Sequence, residues 1–309
     1  MTAATQTLFR FFFRPVSVLP LVALRIATGV LTLAWAIFLY PDLDPLLTYL
    51  RAQPDQEILW WQLLPTLPSS GMRALCLGLI SASALLTIGL WTRISAWAVF
   101  LLSLTLQRYN PLAFNGGDLI LRGVVQLGVA LGPSGTYLSV DRIRKGQGHL
   151  PAPSIEAWPI RFIQLHISIG YLLTFYLKVR GNSWPDGTAL WYALNLGDLA
   201  RFDLPEWLLI PPIGVALTWL TLATEAFVGL GLWWRKTRLI ALLAGLGLHL
   251  GIAVTLEIGF FSLVMVTSYL AFVRGPTLER ILARRRSDSA EGPSPVGLTP
   301  SESIGAPTI

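Results

Sequence analysis

Charged residues are scarce in this chain. Lys, Arg, Asp and Glu together make up 13% of its 309 residues, about half the share of a typical soluble domain. Hydrophobic residues account for 53%, which excludes a water-soluble fold and predicts an integral membrane protein. Twelve Trp and eight Tyr agree with this prediction, because amphipathic rings anchor a protein at the two membrane–water interfaces.

Cysteine and histidine are also rare. The single cysteine, Cys76, lies in an apolar run, which excludes an internal disulfide and a CxxC redox pair. The three histidines, His149, His166 and His249, have no HxxxH spacing, so no metal site is expected. The net charge is +6, but the basic residues lie between apolar segments, so nucleic acid is not an expected partner.

Long apolar runs are abundant. A helix needs about 20 apolar residues to cross a bilayer, and the candidates are residues 18–40, 72–91, 94–106, 119–131, 160–177, 207–234, 239–256 and 258–273. The predicted fold class is therefore an all-α integral membrane protein, a bundle of about eight transmembrane helices. The two short runs, 94–106 and 119–131, could instead form one re-entrant hairpin, which leaves six crossings.

Basic residues favour one side of this bundle. With eight crossings, 15 of the 23 Lys and Arg residues fall on the side that holds both termini, seven fall on the other side, and Arg25 lies inside the first run. The positive-inside rule then places both termini in the cytoplasm and the protein in the cell membrane.

The chain divides into three parts on this topology. Residues 1–17 form a cytoplasmic segment, 18–273 the transmembrane domain, and 274–309 a tail that is basic at first and rich in Ser, Pro, Gly and Glu from Ser287 onward. That composition predicts disorder. The outer connections 42–71 and 179–206 contain Trp among acidic residues and are predicted to lie as amphipathic segments in the interface.

Ionisable residues inside apolar runs are candidates for function, because inserting them in a membrane costs a few kcal/mol. Lys178 ends the fifth run, and Tyr171 and Gln164 precede it at seven-residue steps. Seven residues are close to two helical turns, so the three share one stripe, which must face protein or water rather than lipid. Lys178 could instead extend to the lipid headgroups, as lysines near helix ends do.

Glu225 and His249 are the other candidates for proton transfer. Glu225 lies within the sixth run, with Thr218 and Thr221 on the same helical face, and His249 lies in the middle of the seventh. A buried carboxylate must be paired, hydrogen-bonded or protonated, and a neutral imidazole can accept or donate a proton. Both could equally make interhelical hydrogen bonds that orient the bundle.

A turn joins the two short runs. Asn115 and two glycines form it, and Asp118 is predicted to cap the next helix, with Arg122 one turn on as its ion-pair partner or as part of a cavity wall. Two glycine pairs, 128 with 132 and 247 with 251, have the spacing of closely packed helices.

These residues together resemble a known family. The chain resembles the HTTM (horizontally transferred transmembrane) domain family, a bacterial domain related to the membrane part of vitamin K-dependent gamma-carboxylase. The resemblance rests on three ordered blocks: Arg108-Tyr109-Asn110-Pro111 with Asn115-Gly116-Gly117-Asp118 and Ser139-Val140-Asp141; Gln164, Tyr171 and Lys178 with Trp184, Asp186-Gly187 and Ala189; and His249 with Ile258-Gly259 and Phe261-Ser262.

The resemblance implies a chemistry for Lys178. The position that it occupies is held in the carboxylase by the base that deprotonates vitamin K hydroquinone, which starts its oxygenation to the epoxide. The expected cofactor is then menaquinol or another vitamin K-type hydroquinone, and the enzyme would be a quinol-epoxidising or carboxylating one. The residues expected to line its intramembrane cavity are Gln164, Tyr171, Trp184, Asn115, Asp118 and Arg122.

Two other functions fit the same sequence. A non-enzymatic membrane component that binds a lipid or an unidentified partner protein would use the polar residues only to specify the bundle. A transporter is less favoured, because the sequence shows no inverted repeat and no pair of Gly/Pro-broken helices in corresponding halves.

Overall fold

The structure, a computed structural model, describes residues 2–51, 67–108, 116–195, 199–202 and 210–290. Over these residues the chain is mostly helical. Its helices are α1 (Ala3–Phe13), α2 (Leu19–Arg51), α3 (Ser69–Ile88), α4 (Thr92–Arg108), α5 (Gly116–Leu131), α6 (Val140–Arg144), α7 (Trp158–Arg180), α8 (Ala189–Asn195), α9 (Pro211–Gly231), α10 (Arg238–Thr255), α11 (Phe261–Ser268), a 3-10 helix (Tyr269–Phe272) and α12 (Gly275–Ala290). Strands β1 (Pro15–Ser17) and β2 (Ser154–Glu156) form one antiparallel pair, a small addition to the predicted all-α fold.

Among the described residues, five helices are long and apolar enough to cross a membrane: Leu19–Thr48 within α2, and α3, α7, α9 and α10. A sixth is added if Phe261–Phe272 and Gly275–Arg284 are counted as one span bent by 101°. The prediction of a helical, multi-pass membrane protein is therefore confirmed, whereas the count of eight crossings is not.

The two short runs form separate helices. α4 has 17 residues, about 25 Å at 1.5 Å per residue, and the apolar part of α5 is Arg122–Leu131. α4 packs against α3 and α5, and α5 also packs against α7. Both short helices therefore belong to the bundle, although neither is long enough to count as a span by itself.

Several predicted boundaries change. α2 continues through Pro41 and Pro45 to Arg51. The run 258–273 forms α11 and, directly after it, the 3-10 helix that ends at Phe272, and the extended residue Val273 separates them from α12. Pro276, the second residue of α12, suits a new helix start. α12 also includes Ser287, where disorder was expected, and residues 291–309 lie outside the described ones.

Small residues let α7, α9, α10 and the 3-10 helix approach one another. A Cβ on Gly229 of α9 would lie 2.9 Å from Leu172 Cγ in α7, and one on Gly245 of α10 would lie 2.7 Å from Tyr269 Cζ. Of the predicted pairs, Gly128 and Gly132 do make such approaches. The prediction for 247 and 251 was wrong, because no described atom lies within 4 Å of a Cβ built at either position.

Candidate functional site

Lys178 lies in the last turn of α7, and its ammonium group meets Glu225 of α9. Nζ donates a hydrogen bond to Glu225 Oε1 and lies 4.5 Å from the centre of the Trp184 ring. The side chain of Lys178 is 26% exposed and that of Glu225 is 10% exposed. The lysine is therefore directed at a carboxylate within the bundle, in contrast to the alternative in which it extends to the headgroups.

The loop that carries Trp184 is fixed to α9. Thr218 Oγ1 lies 3.0 Å from the Gly187 carbonyl oxygen and accepts a hydrogen bond of 3.2 Å from the Leu190 N–H. Gly187 has a φ of +78°, and Val215 Cγ1 lies 2.7 Å from where its Cβ would be, so a side chain there would be strained and would clash. Thr218, which the sequence placed on the Glu225 face, thus holds the loop rather than the carboxylate.

Tyr171 and His249 meet Tyr269 in a buried polar cluster. The Tyr171 hydroxyl lies 2.7 Å from His249 Nε2 and shares a hydrogen bond with the Tyr269 hydroxyl. All three side chains are buried, and the Phe261 ring packs edge-on against His249, with 5.4 Å between ring centres. The side chains come from α7, α10 and the 3-10 helix, so the cluster forms only when these elements pack together.

The ion pair and the cluster act on each other electrostatically. The charge of Lys178 acts on His249, and that of Glu225 acts on both tyrosines. Two buried atoms, Glu225 Oε2 and His249 Nδ1, have no hydrogen-bonding partner among the described residues. Buried polar atoms in proteins are usually paired, so each of these two could accept a hydrogen bond from a bound hydroxyl group.

Gln164 belongs to the opposite end of α7. Its amide nitrogen donates to the Ala271 carbonyl oxygen at 2.6 Å, and its amide oxygen accepts from Arg161 at 2.7 Å. It lines a cavity with Arg161 and Arg238, which includes neither Lys178 nor His249. Gln164 and Tyr171 are both buried in α7, as expected for residues that share one stripe. The structure does not, however, bring Gln164, Tyr171 and Lys178 together in one site.

The predicted group around the first turn of α5 is also separate. Arg122 is buried, lies 4.3 Å from the centre of the Trp35 ring and lines a small cavity of about 20 Å³ with Thr28 and Thr32. Because α5 begins at Gly116, Asp118 lies inside the helix rather than before it. Asn115 and the side chain of Asp118, and hence their predicted contacts, lie outside the described residues.

Two residues that make buried hydrogen bonds between elements, Tyr269 and Arg25, were not identified as candidates from the sequence. Tyr269 lies in an apolar run, where an aromatic residue gives no signal of a hydrogen-bonded role. Arg25 was visible as a charge inside the first run. It is completely buried and donates to the carbonyl oxygens of Ser134 and Tyr137 at 2.9 and 3.2 Å, so it holds the turn after α5.

Comparison with known proteins identifies the family but gives no characterised relative. The family model for the HTTM domain matches residues 13–275, most of the chain. No curated protein and no solved structure matches it. Within the described residues, no group of three or more His, Cys, Asp or Glu side chains is placed to hold a metal ion. The length of the family match shows that the chain belongs to the HTTM domain family.

Proposed function

We propose that this membrane protein binds an isoprenoid quinol, such as menaquinol or a vitamin K-type hydroquinone, beside Lys178 and removes a proton from its hydroxyl group. The observation that carries the proposal is the pairing of Lys178 with Glu225 beneath Trp184. An amine, a carboxylate and an aromatic face meet here beside a buried histidine and two tyrosine hydroxyls. The relationship of the family to the carboxylase supports the same ligand class.

The pair offers a route to a neutral amine. Both charges lose hydration in the bundle, which makes a buried ion pair costly. Transfer of the Lys178 proton to Glu225 leaves two neutral groups, and the free amine then accepts the quinol proton. The O–H bond breaks, an N–H bond forms, and a quinolate anion faces the ammonium group of Lys178. Oxidation of the quinolate by dioxygen would follow, as in the carboxylase.

The unpartnered atoms support binding at the same place. Glu225 Oε2 and His249 Nδ1 have no partner among the described residues, so each could accept a hydrogen bond from a quinol hydroxyl group. The Trp184 ring gives an apolar surface on which a ring can stack. Tyr171 and Tyr269 hold His249 from the other side, so the imidazole is oriented before a ligand arrives.

Turnover of menaquinol or vitamin K hydroquinone by the reconstituted protein under oxygen tests this function. We expect epoxide formation by the wild type and a loss of 100-fold or more in Lys178→Met, the range of one general base. Arg180→Gln is the matched control, because it removes an exposed charge two residues away whose hydrogen bond is to Tyr176. Quinol consumption unchanged in Lys178→Met would overturn the role of the lysine.

A binding measurement separates the ligand from the chemistry. Menaquinone titrated into the protein should quench tryptophan fluorescence, and Trp184→Leu should reduce that quenching and weaken binding. Absence of saturable quenching in the wild type would overturn the proposal as a whole.

A second function, lipid or partner binding without catalysis, is favoured by one observation. Glu225 already accepts a hydrogen bond from Lys178, so the lysine has a sufficient role in joining α7 to α9. In that case a lipid should co-purify equally with wild type and Lys178→Met, and quinol should not be consumed.

A further inference from the structure

The cavity that Gln164 lines with Arg161 and Arg238 has a volume of about 260 Å³ and lies at the arginine-rich end of the bundle. The first turns of α2, α7, α10 and α12 all contribute to its lining, through Pro20, Ile160, Arg238 and Gly275. Helix N-termini carry partial positive charge and bind anions. Four of them around one cavity create a positive potential before any side chain is counted.

Four arginines add full charges to this cavity: Arg14, Arg161, Arg238 and Arg274. Arg161 is held by Gln164 at 2.7 Å and by the Phe11 ring at 4.5 Å. Arg238 Nε donates to the Leu232 carbonyl oxygen at 2.9 Å. These two guanidinium groups are thus fixed in place by the fold.

The other two arginines, Arg14 and Arg274, are exposed and therefore accessible to a ligand. The side chains of Arg14 and Arg274 donate no hydrogen bond to another described residue, and the cavity's described lining contains no carboxylate. Two carboxylates flank the lining without belonging to it: Glu279 accepts a hydrogen bond from Ser17 at 3.3 Å, and Glu156 pairs with Pro15 in the two-stranded sheet. Among the described residues, neither Arg14 nor Arg274 forms a salt bridge with a carboxylate.

The arginines around the cavity repel one another. Arg14 and Arg238 act on Arg161, while Arg274, Arg235 and Arg14 act on Arg238, and all of these charges have the same sign. Like charges held together cost free energy. An anion bound among them would relieve that cost, and planar guanidinium groups suit the oxygens of a phosphate.

We propose that this cavity, between the first turns of α7, α10 and α12, binds a phosphate group through Arg14, Arg161, Arg238 and Arg274. Apolar side chains of Val16, Ile160 and Phe272 share its lining. A phosphate attached to hydrocarbon, as in an anionic phospholipid, suits a cavity lined by both arginines and apolar side chains. Inorganic phosphate offers the same anionic oxygens, and the two sources are separated by experiment.

The test uses the full chain purified in neutral detergent. Phosphatidylglycerol, phosphatidylcholine and inorganic phosphate are titrated separately, and the thermal unfolding midpoint and the number of lipids retained in native mass spectrometry are recorded. The variant is Arg14→Gln with Arg274→Gln. Arg284→Gln is the matched control, because it removes an exposed arginine of α12 that does not line the cavity.

We expect phosphatidylglycerol, but not phosphatidylcholine, to raise the midpoint of wild type and Arg284→Gln equally. The double variant should bind it at least ten-fold more weakly, given about 1 kcal/mol per basic residue near anionic lipid. Without ligand, its midpoint should be unchanged or higher, because repulsion is relieved. If inorganic phosphate raises the midpoint with the same variant dependence and lipid does not, the site takes a soluble phosphate.

The proposal is overturned if neither ligand binds the wild type, or if the double variant and Arg284→Gln bind equally. Equal binding would mean that the arginines act only as general anchors at an anionic surface. If the double variant is recovered in low yield, Arg274→Gln alone is compared with Arg284→Gln, and the same two outcomes apply.

Discussion

At the scale of single residues, the orientation of the Lys178 side chain is set by its partner, Glu225. Glu225 is buried in α9 and would carry an uncompensated charge without it. A carboxylate in the bundle therefore draws the ammonium group inward, while the remaining exposure of Lys178 leaves one side of the amine open. The same geometry serves an ion pair that joins two helices and a base that meets a ligand.

A double-mutant cycle measures the strength of this pair. Lys178→Met and Glu225→Gln should each lower the free energy of unfolding by about 2 kcal/mol, less than the 3–5 kcal/mol of a fully buried pair, because Lys178 is 26% exposed. The double variant should lose less than the sum. Denaturant unfolding in mixed micelles gives the three values, and additive losses would contradict a direct pairing.

The hydroxyl group of Tyr269 should contribute to stability, in addition to its ring, which packs in the core. Tyr269→Phe removes the hydrogen bond to Tyr171 and should lower the free energy of unfolding by about 1 kcal/mol. If His249 takes part in proton transfer, quinol turnover should fall as well, because the Tyr171 hydroxyl, which contacts His249 Nε2, loses the partner that orients it. Tyr192→Phe, on an exposed residue of α8, is the control and should change neither quantity.

The individual site residues were predictable to different degrees. Tyr171 and Lys178 share a face because seven residues are close to two turns of one helix, and that needs no tertiary information. Glu225 and His249 were marked by charge or polarity in apolar runs. Their contacts with Lys178 and Tyr171 join residues 47 and 78 positions apart in the sequence. Such long-range contacts depend on how the helices pack, and the periodicity of one helix carries no information about that packing.

At the scale of elements, α6 holds the start of α4 through Asp141. Its carboxylate accepts hydrogen bonds from the Trp91 and Thr92 N–H groups at 2.8 and 2.7 Å, which satisfies amides that a helix start leaves without partners. Burial raises the pKa of the Asp141 carboxyl, but these hydrogen bonds and the charge of Lys145 outweigh it and leave that pKa below its ordinary value.

The pKa of Asp141 predicts a pH dependence. Because it is depressed in the folded state, the stabilisation is present above the unfolded-state pKa of about 3.9 and is lost as the pH falls through the folded-state value. Asp141→Asn should cost about 1 kcal/mol at pH 7. The difference in unfolding midpoint between wild type and variant should shrink below about pH 4; a constant difference from pH 3 to 7 would contradict it.

Arg25 joins α2 to the turn after α5, and its geometry is specific to a guanidinium group. Arg25→Met leaves buried carbonyl oxygens without their donors and should lower the free energy of unfolding by about 3 kcal/mol. Arg25→Lys should not restore it, because one ammonium group cannot replace the planar fork. Monomer yield in size-exclusion chromatography and the thermal midpoint check both variants, and full rescue by Lys would refute the argument.

The elements themselves were predicted best where apolar runs are long. α3, α7, α9 and α10 follow their runs closely, since about 20 apolar residues leave little choice but a crossing helix. The run 258–273 forms only Phe261–Phe272 as helix, and these residues count as a span only together with Gly275–Arg284. Only Gly275 and Pro276, beyond the run, mark the point at which a new helix begins.

At the scale of the whole molecule, the two predicted topologies differ in whether α4 and α5 cross the membrane. Eight crossings and six crossings with a re-entrant hairpin both leave the termini on one side, so the positive-inside rule does not separate them. They differ at the connection between α4 and α5. In the first topology residue 110 faces the outside, and in the second it lies within the membrane.

Accessible cysteines decide between the two. Cys76 is the single cysteine of the chain and is buried, so Cys76→Ala gives a background without native thiols. Single cysteines are then placed at Asn110, Asn195 and Gln147. If the helices cross, an impermeant maleimide should label intact cells at 110 and 195, and 147 only after permeabilisation. Labelling at 195 without 110 would establish the hairpin, and labelling at 147 in intact cells would reverse the predicted orientation, so that the arginine-lined cavity would open to the outside.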